Sequence, residues 1–254
     1  MKRLVQSCII AFAMYSKIPM PRTDWNKENM KYALCFLPLV GAVIGGLTYL
    51  FGKYGHYIAG EGIFYTILWM MIPIFVTGGI HVDGLLDTAD ALSSYKSKEE
   101  KLEILKDSHA GAFAVIVGIC YFFLQFGAYS ELTKEMIPVL AFSFILSRSL
   151  SALAVVSFKM AKNTGLAATF SEMALKKRVQ TVMIFFIIFT AMAMILLHPL
   201  FGTCAVVIAI LNFFYYRHMA YEKFGGVTGD LAGFYLQTSE LLMVIGMVIV
   251  NQIR

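Results

Sequence analysis

Residues 66–92 read TILWMMIPIFVTGGIHVDGLLDTADAL, and the abrupt change of character within them decides the fold. The first part is almost wholly apolar, whereas residues 81–90 contain a histidine and three aspartates. A charged side chain placed inside a bilayer costs up to a few kcal/mol. We therefore expect a membrane-spanning helix to end near the two glycines, and the acidic residues to lie at the membrane edge.

The chain as a whole has the composition of a membrane protein. Of its 254 residues, 59% are hydrophobic and only 15% are charged, against roughly 25% charged residues in soluble domains. Several segments reach about 18 apolar residues, the length that crosses a hydrocarbon core of roughly 30 Å. The four cysteines are scattered without a CxxC pair, which favours a packing role. We predict an all-α, polytopic integral membrane bundle that forms one domain over residues 1–254.

About seven transmembrane helices are expected. The apolar segments cover residues 32–53, 61–80, 109–129, 136–158, 179–198, 199–216 and 231–251. Segment 4–18 is shorter and has basic residues on both sides, which predicts a re-entrant or interfacial helix and not a cleaved signal peptide. In the first span, Pro38 and the glycines at 41, 45 and 46 are expected to kink the helix or to permit a close helix contact. Gly41 and Gly45 form a GxxxG motif, which more often reflects ordinary packing than a dimer interface.

The distribution of lysine and arginine orients these helices. With the N-terminus inside, segments 1–31, 81–108, 159–178 and 217–230 face inward and hold 17 of the 21 basic residues. The positive-inside rule expects this asymmetry. We therefore predict a multi-pass protein of a prokaryotic cytoplasmic (inner) membrane with its polar loops in the cytoplasm. Basic residues in short loops between spans favour contact with the lipid bilayer over nucleic-acid binding.

Three aspartates in the first inner loop are spaced to share one helix face. At about 100° per residue, Asp83, Asp87 and Asp90 fall within an arc of roughly 60°. A divalent cation would turn their repulsion into attraction, and carboxylate oxygens are the ligands that Mg²⁺ prefers. The alternative is a solvated helix start, where the helix dipole favours acids. His81 lies just before them, and three roles are open to it: a general base, a metal ligand or an interfacial histidine.

The same loop ends in KDSHAGAFA, where Asp107 and Ser108 precede the next apolar segment. Either side chain can cap the helix that begins there. A helix N-terminus is also an anion site, so a phosphate group could bind beside Ser108. The sequence leaves both roles open.

A second acidic, glycine-rich segment occupies the last inner loop, where residues 223–234 read KFGGVTGDLAGF. Gly225, Gly226 and Thr228 favour a loop whose backbone N–H groups bind phosphate, although glycine at a membrane boundary often only makes a turn. Asp230 begins the final span. Two such clusters on one membrane face together indicate a metal–phosphate site.

Arg148 lies within an apolar segment and is the clearest charge inside the membrane region. Such residues usually face the bundle interior and pair with an acid or with a substrate anion. Glu240, Asp230 and the three loop aspartates are the candidate partners. Structural pairing and substrate contact are both consistent with the sequence.

These motifs, in this order, resemble the cobalamin synthase family, also called adenosylcobinamide-GDP ribazoletransferases. The strongest likeness is in GGIHVDGLLDTADAL and GGVTGD. Further similar segments are SKIPMP (16–21), FLPLVGAVIGG (36–46), KDSHAGAFA (106–114) and LSR (146–148). Many relatives have arginine where this chain has Lys162, which keeps the charge but loses the planar guanidinium fork.

The resemblance implies a transferase of late cobalamin biosynthesis. It would join GDP-activated adenosylcobinamide to α-ribazole, or to its 5′-phosphate, and release GMP. It also implies Mg²⁺ on Asp83, Asp87, Asp90 and Asp230. Catalytic roles would fall to His81, Asp83, Asp87 and Arg148, and substrate contacts to Ser108, Lys162, Gly225, Gly226 and Thr228.

Two other functions are considered, and each predicts different sequence features. A CDP-alcohol phosphotransferase also displaces a nucleotide from a pyrophosphate, but the AR element of that family is absent here. A cation-coupled transporter would be expected to show repeated halves with broken helices, and no internal repeat is visible. The oligomeric state stays open, with a homo-oligomer as one option.

Overall fold

The computed structural model describes residues 2–107 and 109–253, and helices dominate this part of the chain. The helices are α1 (Lys2–Tyr15), α2 (Lys27–Met30), a 3₁₀ turn (Ala33–Phe36), α3 (Leu37–Tyr54), α4 (His56–Ala59), α5 (Ile63–Thr77), α6 (Ile80–Ser93), α7 (Lys98–Ile104), α8 (Ala112–Ser130), α9 (Ile137–Ser157), α10 (Leu166–Met173), α11 (Lys176–Leu197), α12 (Pro199–Phe224) and α13 (Gly229–Ile253). No strand occurs in these two ranges, and the predicted all-α class is confirmed.

Six helical segments are long and apolar enough to cross a membrane, and the bent pair α5–α6 brings the number to as many as seven. The chain is therefore a multi-pass membrane protein with about the predicted number of spans. The short α1 is not among these segments. It packs against α2, the 3₁₀ turn and α3 at one end of the bundle.

Of the two outcomes predicted for Pro38 and the glycines of the first span, the close helix contact is observed and the kink is not. Pro38 lies in the first turn of α3 and does not kink it, because proline at that position lacks only an N–H that would have no helical partner. The GxxxG motif packs within the chain. A Cβ atom on Gly41 would lie 2.3 Å from the Phe144 carbonyl oxygen, and one on Gly45 would lie 2.1 Å from that of Ala141. The motif therefore brings α3 against α9.

Helix α9 is the centre of the bundle, with most of its side chains buried. It packs against α3, α11, α12 and α13. A second, smaller hydrophobic cluster joins α9 to α1, the 3₁₀ turn, α10 and α11. The space between this smaller cluster and α13 contains the cavity described below.

The bend between α5 and α6 is made by two glycines. Gly78 and Gly79 both have positive φ values, 66° and 81°, in the left-handed region that glycine adopts without strain. The axis turns by 92° at this point. Helix α6 therefore leaves the direction of α5 and runs across the end of the bundle, where it packs against α13 and α8.

Candidate active site

The candidate site is built where α6 crosses α13 at very short range. A Cβ atom on Gly84 of α6 would lie 2.6 Å from the carbonyl oxygen of Asp230, and one on Gly233 of α13 would lie 3.0 Å from that of His81. Only glycine at both positions permits this approach without displacement. The two acidic motifs predicted from the sequence are therefore brought together by backbone contact.

The crossing places four carboxylates within electrostatic range of one another. Asp87 is half-buried, and its carboxylate is repelled by the negative charges of Asp83, Asp230 and Asp90. Asp230 lies in the first turn of α13 and also interacts with Asp83. This concentration of negative charge would be relieved by a bound cation.

Asp90 has a structural task that the sequence did not reveal. One of its oxygens accepts the N–H of Gly111, and the other accepts the N–H of Ala114 at 2.9 Å. Asp90 therefore caps the N-terminus of α8 from a different helix. The cap predicted from Asp107 is wrong, because that carboxylate accepts the N–H of His109 at 3.0 Å.

The exposed Asp107 carboxylate has its pKa lowered by this hydrogen bond and by the His109 ring. Ser108, predicted to cap the helix or to bind phosphate, lies outside the described residues.

The GGVTGD loop is held by its glycines and by a short backbone bridge. Gly225 ends α12 with a φ of 77°, and the N–H of Gly226 donates to the Ala220 carbonyl, as in a Schellman motif. A Cβ atom on Gly226 would lie 2.5 Å from the carbonyl oxygen of Lys159. The phosphate-binding role predicted for both glycines is untested, and their visible role is to shape the loop.

The bridge joins this loop to the segment that follows α9. The N–H of Val227 donates to the Lys159 carbonyl at 2.9 Å, and the N–H of Ala161 donates to the Val227 carbonyl at 3.0 Å. This parallel contact brings Lys162 next to Asp230, whose carboxylate it attracts. Lys162 is thus a cation at the edge of the carboxylate cluster.

Thr228 begins α13. Its Oγ1 accepts the N–H of Leu231 at 3.2 Å and lies 3.4 Å from a carboxylate oxygen of Asp230. The hydroxyl therefore caps the last helix and orients the acid in its first turn.

A cavity of about 280 Å³ opens between these elements. We call it the α6–α13 cavity. Its polar lining includes His81, Asp83, Lys162, Thr228 and Asp230. It therefore joins one acid of each predicted motif, the predicted phosphate-binding lysine and the predicted general base.

His81 is buried at 5% exposure, yet neither of its ring nitrogens has a hydrogen-bond partner within residues 2–107 and 109–253. Its ring stacks on Tyr15 of α1, with 6.3 Å between centroids and planes 11° apart. Unsatisfied buried polar atoms are costly and rare. His81 therefore lines the cavity with both ring nitrogens unpaired, and its ring is stacked on Tyr15.

Sequence reasoning missed Tyr15, although it directly precedes the segment SKIPMP. Its position within the short apolar segment 4–18 carried no chemical signal.

Arg148 does not line the α6–α13 cavity. It is 0% exposed, and its Nη1 forms an ion pair with Glu240 and a hydrogen bond to the Phe144 carbonyl at 3.1 Å. Its Nε and Nη2 have no partner among the described residues, and its charge reaches the His81 ring. This geometry supports the structural pairing that the sequence had left open. The predicted catalytic role stays a prediction.

The carboxylates suit Mg²⁺ by their donor chemistry. Among the described residues no three His, Cys, Asp or Glu side chains form a ready-made metal cluster. Mg²⁺ commonly uses one or two carboxylates together with substrate phosphates, without a cage built from protein alone. An open set of oxygen donors beside a cavity fits that mode of binding.

Comparisons with a family model and with individual proteins point to the same family. A family model described as cobalamin-5-phosphate synthase matches residues 7–248. A Lachnoclostridium phytofermentans protein named adenosylcobinamide-GDP ribazoletransferase is 47% identical over 245 residues, which cover 96% of this chain and 94% of the relative.

Proteins of the same name are 33% identical in Clostridium botulinum (95% of this chain, 96% of the relative) and 30% identical in Geobacillus thermodenitrificans (96% and 95%). No solved structure matches the chain.

Proposed function

The chain belongs to the cobalamin-5-phosphate synthase family, and we propose that it carries out the family's transferase reaction in the α6–α13 cavity. It is an adenosylcobinamide-GDP ribazoletransferase, which joins activated adenosylcobinamide to α-ribazole, or to its 5′-phosphate, in cobalamin biosynthesis. This location is supported by the crossing of α6 and α13. The crossing places Asp83 and Asp230 beside Lys162 and beside His81, whose ring nitrogens have no hydrogen-bond partner among the described residues.

The reaction is a displacement at phosphorus. A ribose hydroxyl of α-ribazole attacks the phosphorus attached to the corrinoid side chain, and a new P–O bond forms. The bond from that phosphorus to the bridging oxygen breaks, and GMP leaves with the electron pair. The hydroxyl proton passes to a base. Charge gathers on the equatorial and leaving oxygens, so positioned cations supply most of the catalysis.

Each charged group that lines the cavity, and the neighbouring Asp87 and Asp90 of α6, then has a distinct task. Asp83, Asp87 and Asp230 would hold Mg²⁺, while Asp90 positions α8 through its two hydrogen bonds. When bound, Mg²⁺ supplies positive charge to the pyrophosphate oxygens. Lys162 holds a phosphate oxygen as a point charge.

His81 takes the proton from the attacking hydroxyl, because it lines the cavity and its ring nitrogens have no hydrogen-bond partner among the described residues. A carboxylate of the cluster is the alternative base, and the role requires hydrogen-bond reach to the hydroxyl.

We also propose that the site faces the cytoplasm of a cytoplasmic membrane. Support comes from the predicted inner segments, which hold 17 of the 21 basic residues. Labelling of single cysteines placed at Lys98 and Lys53 with a membrane-impermeant reagent tests this. Labelling of position 53 and not of 98 in intact cells is expected, and the reverse pattern would contradict the orientation.

The test of the function uses the purified protein in detergent or nanodiscs with adenosylcobinamide-GDP and α-ribazole. Cobalamin and GMP are expected with Mg²⁺ and not with a chelator. The Asp87→Asn variant should lower GMP release by about 10²-fold or more and weaken Mg²⁺ binding measured by calorimetry. Asp24→Asn, an exposed site of the same chemistry, is the matched control.

Each failure has its own meaning. If the wild-type protein forms no cobalamin with metal present, the proposed function is wrong. If Asp87→Asn retains full activity and metal affinity, the carboxylate assignment is wrong. A substrate-independent cation flux in vesicles would favour the transporter, and use of a CDP-alcohol substrate would favour the other phosphotransferase family. Neither alternative is supported by the family match.

A further inference from the structure

The α6–α13 cavity has two chemically different sides. The charged side consists of Asp83, Lys162 and Asp230, which interact electrostatically with one another. The other side is formed by side chains of the smaller hydrophobic cluster. It includes Met14, Leu34, Leu37, Val155 and Ala232. The stacked pair of His81 and Tyr15 also lines the cavity.

We propose that the apolar side is the binding site for the aromatic base of α-ribazole and that it selects the base by size. This inference rests on the proposed function, since it names which part of which substrate lies there. The base is a flat, largely apolar bicyclic ring, and a hydrophobic wall with an aromatic edge is the surface that binds such a ring. The ribose hydroxyl would then point towards the carboxylates.

The size of the cavity distinguishes between the two substrates. At about 280 Å³ it lies at the lower end of the roughly 300–1,000 Å³ of small-molecule sites. A corrinoid with an attached nucleotide is much larger than this space. The smaller nucleoside is therefore the substrate that can be enclosed, and the activated corrinoid must bring its pyrophosphate to the charged side from outside.

The chemistry of the wall also excludes the guanine of the activated substrate. Guanine carries several hydrogen-bond donors and acceptors on its edge, and enclosure without partners is costly for each of them. The side chains of Met14, Leu37 and Val155 offer no hydrogen bond, and Ser151 is a single hydroxyl on the same face of α9. A guanine edge would therefore leave most of its polar atoms unpaired there, whereas a dimethylbenzimidazole ring has far fewer polar atoms to satisfy.

The aromatic contacts make this wall rigid. Tyr15 stacks on His81 and also packs against Phe170 of α10, with 5.9 Å between centroids. Phe170 itself is fully buried. The Tyr15 ring is thus held by side chains of α6 and α10. It does not move aside to admit a larger ring, because packed interiors accommodate little added volume. Size selection is therefore expected to be sharp.

The test compares two neighbouring valines of α9. Val155→Phe adds volume inside the cavity, whereas Val156→Phe adds it in the same hydrophobic cluster at a residue that does not line the cavity. Both valines are almost fully buried, at 6% and 4% exposure. Binding of α-ribazole is measured alone by the fluorescence of its base, and KM is measured for each substrate.

Val155→Phe should weaken α-ribazole binding by about tenfold or more, while KM for adenosylcobinamide-GDP stays within about twofold. Val156→Phe should leave α-ribazole binding within about twofold. Equal effects of both variants, or an effect of Val155→Phe on the corrinoid alone, would overturn the inference. Binding without cobalamin formation in the wild-type protein would instead count against the proposed function.

A widening variant keeps the inference testable if the phenylalanine variants fail to fold. Leu37→Ala should raise kcat/KM for a bulkier naphthimidazole riboside, relative to α-ribazole, by about tenfold. An unchanged ratio of the two would show that this wall does not contact the base.

Discussion

Gly84→Ala should separate activity from folding more cleanly than any change to a charged residue. The added Cβ would lie 2.6 Å from the Asp230 carbonyl oxygen, whereas ordinary contacts begin at 3.4 Å. Because the opposing atom belongs to backbone, no side chain can rotate away. The two helices must move apart by several tenths of an ångström, and the carboxylates on α6 must move away from Asp230.

The two effects of this substitution on stability partly cancel. Overpacking costs about 1–3 kcal/mol, and alanine in place of a helical glycine returns about 0.5–1 kcal/mol. A net loss of about 1–2 kcal/mol in the free energy of unfolding is therefore expected. The effect on catalysis is larger, because a displacement of about 1 Å in a catalytic group can cost about 10²-fold in rate.

The assay is kcat/KM for GMP release, together with thermal unfolding in detergent. Gly127→Ala on α8 is the matched control, since a Cβ there meets nothing within 4 Å, and it should have wild-type activity and equal or higher stability. Wild-type activity of Gly84→Ala would refute the view that close approach of α6 and α13 assembles the site.

Two further predictions concern buried and capping charges. Arg148→Met should destabilise the protein by about 3–5 kcal/mol because Glu240 is left as an unpaired buried charge; thermal unfolding checks this, and a double variant that also carries Glu240→Leu should recover most of the loss. Asp90→Ala should cost about 0.5–2 kcal/mol and speed hydrogen exchange at the start of α8, whereas Asp90→Asn, whose amide has one acceptor oxygen, should keep one of the two N–H bonds and retain Mg²⁺ affinity. Loss of that affinity in the asparagine variant would make Asp90 a metal ligand.

The spans were predictable because their signal is local. Length and apolar composition fix where a helix can cross a bilayer, and the observed helices end within a few residues of most predicted boundaries. The early part of the first span was less predictable. A kink at Pro38 was one of the two predicted outcomes, but a proline in the first turn of α3 is favourable, and the chain before it forms a separate 3₁₀ turn.

The residues of the candidate site are visible in the sequence, but their geometry is not. Glycine at positions 84 and 233 is visible in the sequence, but their mutual approach depends on two helices that lie far apart in the chain. The pairing of Arg148 was left open among several acids, and the interior position of Glu240 on α13 decides it. The cap formed by Asp90 depends on a tertiary contact that helix periodicity does not contain.

The bridge between Met160 and Val227 also determines when, during synthesis of the chain, the proposed site is complete. During synthesis, α6 leaves the ribosome well before the loop that carries Asp230. Until that loop docks beside residue 160, Asp83 and Asp87 lie without the acid of α13 and Lys162 lies without its carboxylate, whereas Asp90 can already bind the start of α8. The proposed site is therefore complete only once α13 has been inserted, and a nascent chain arrested before α13 would lack Asp230.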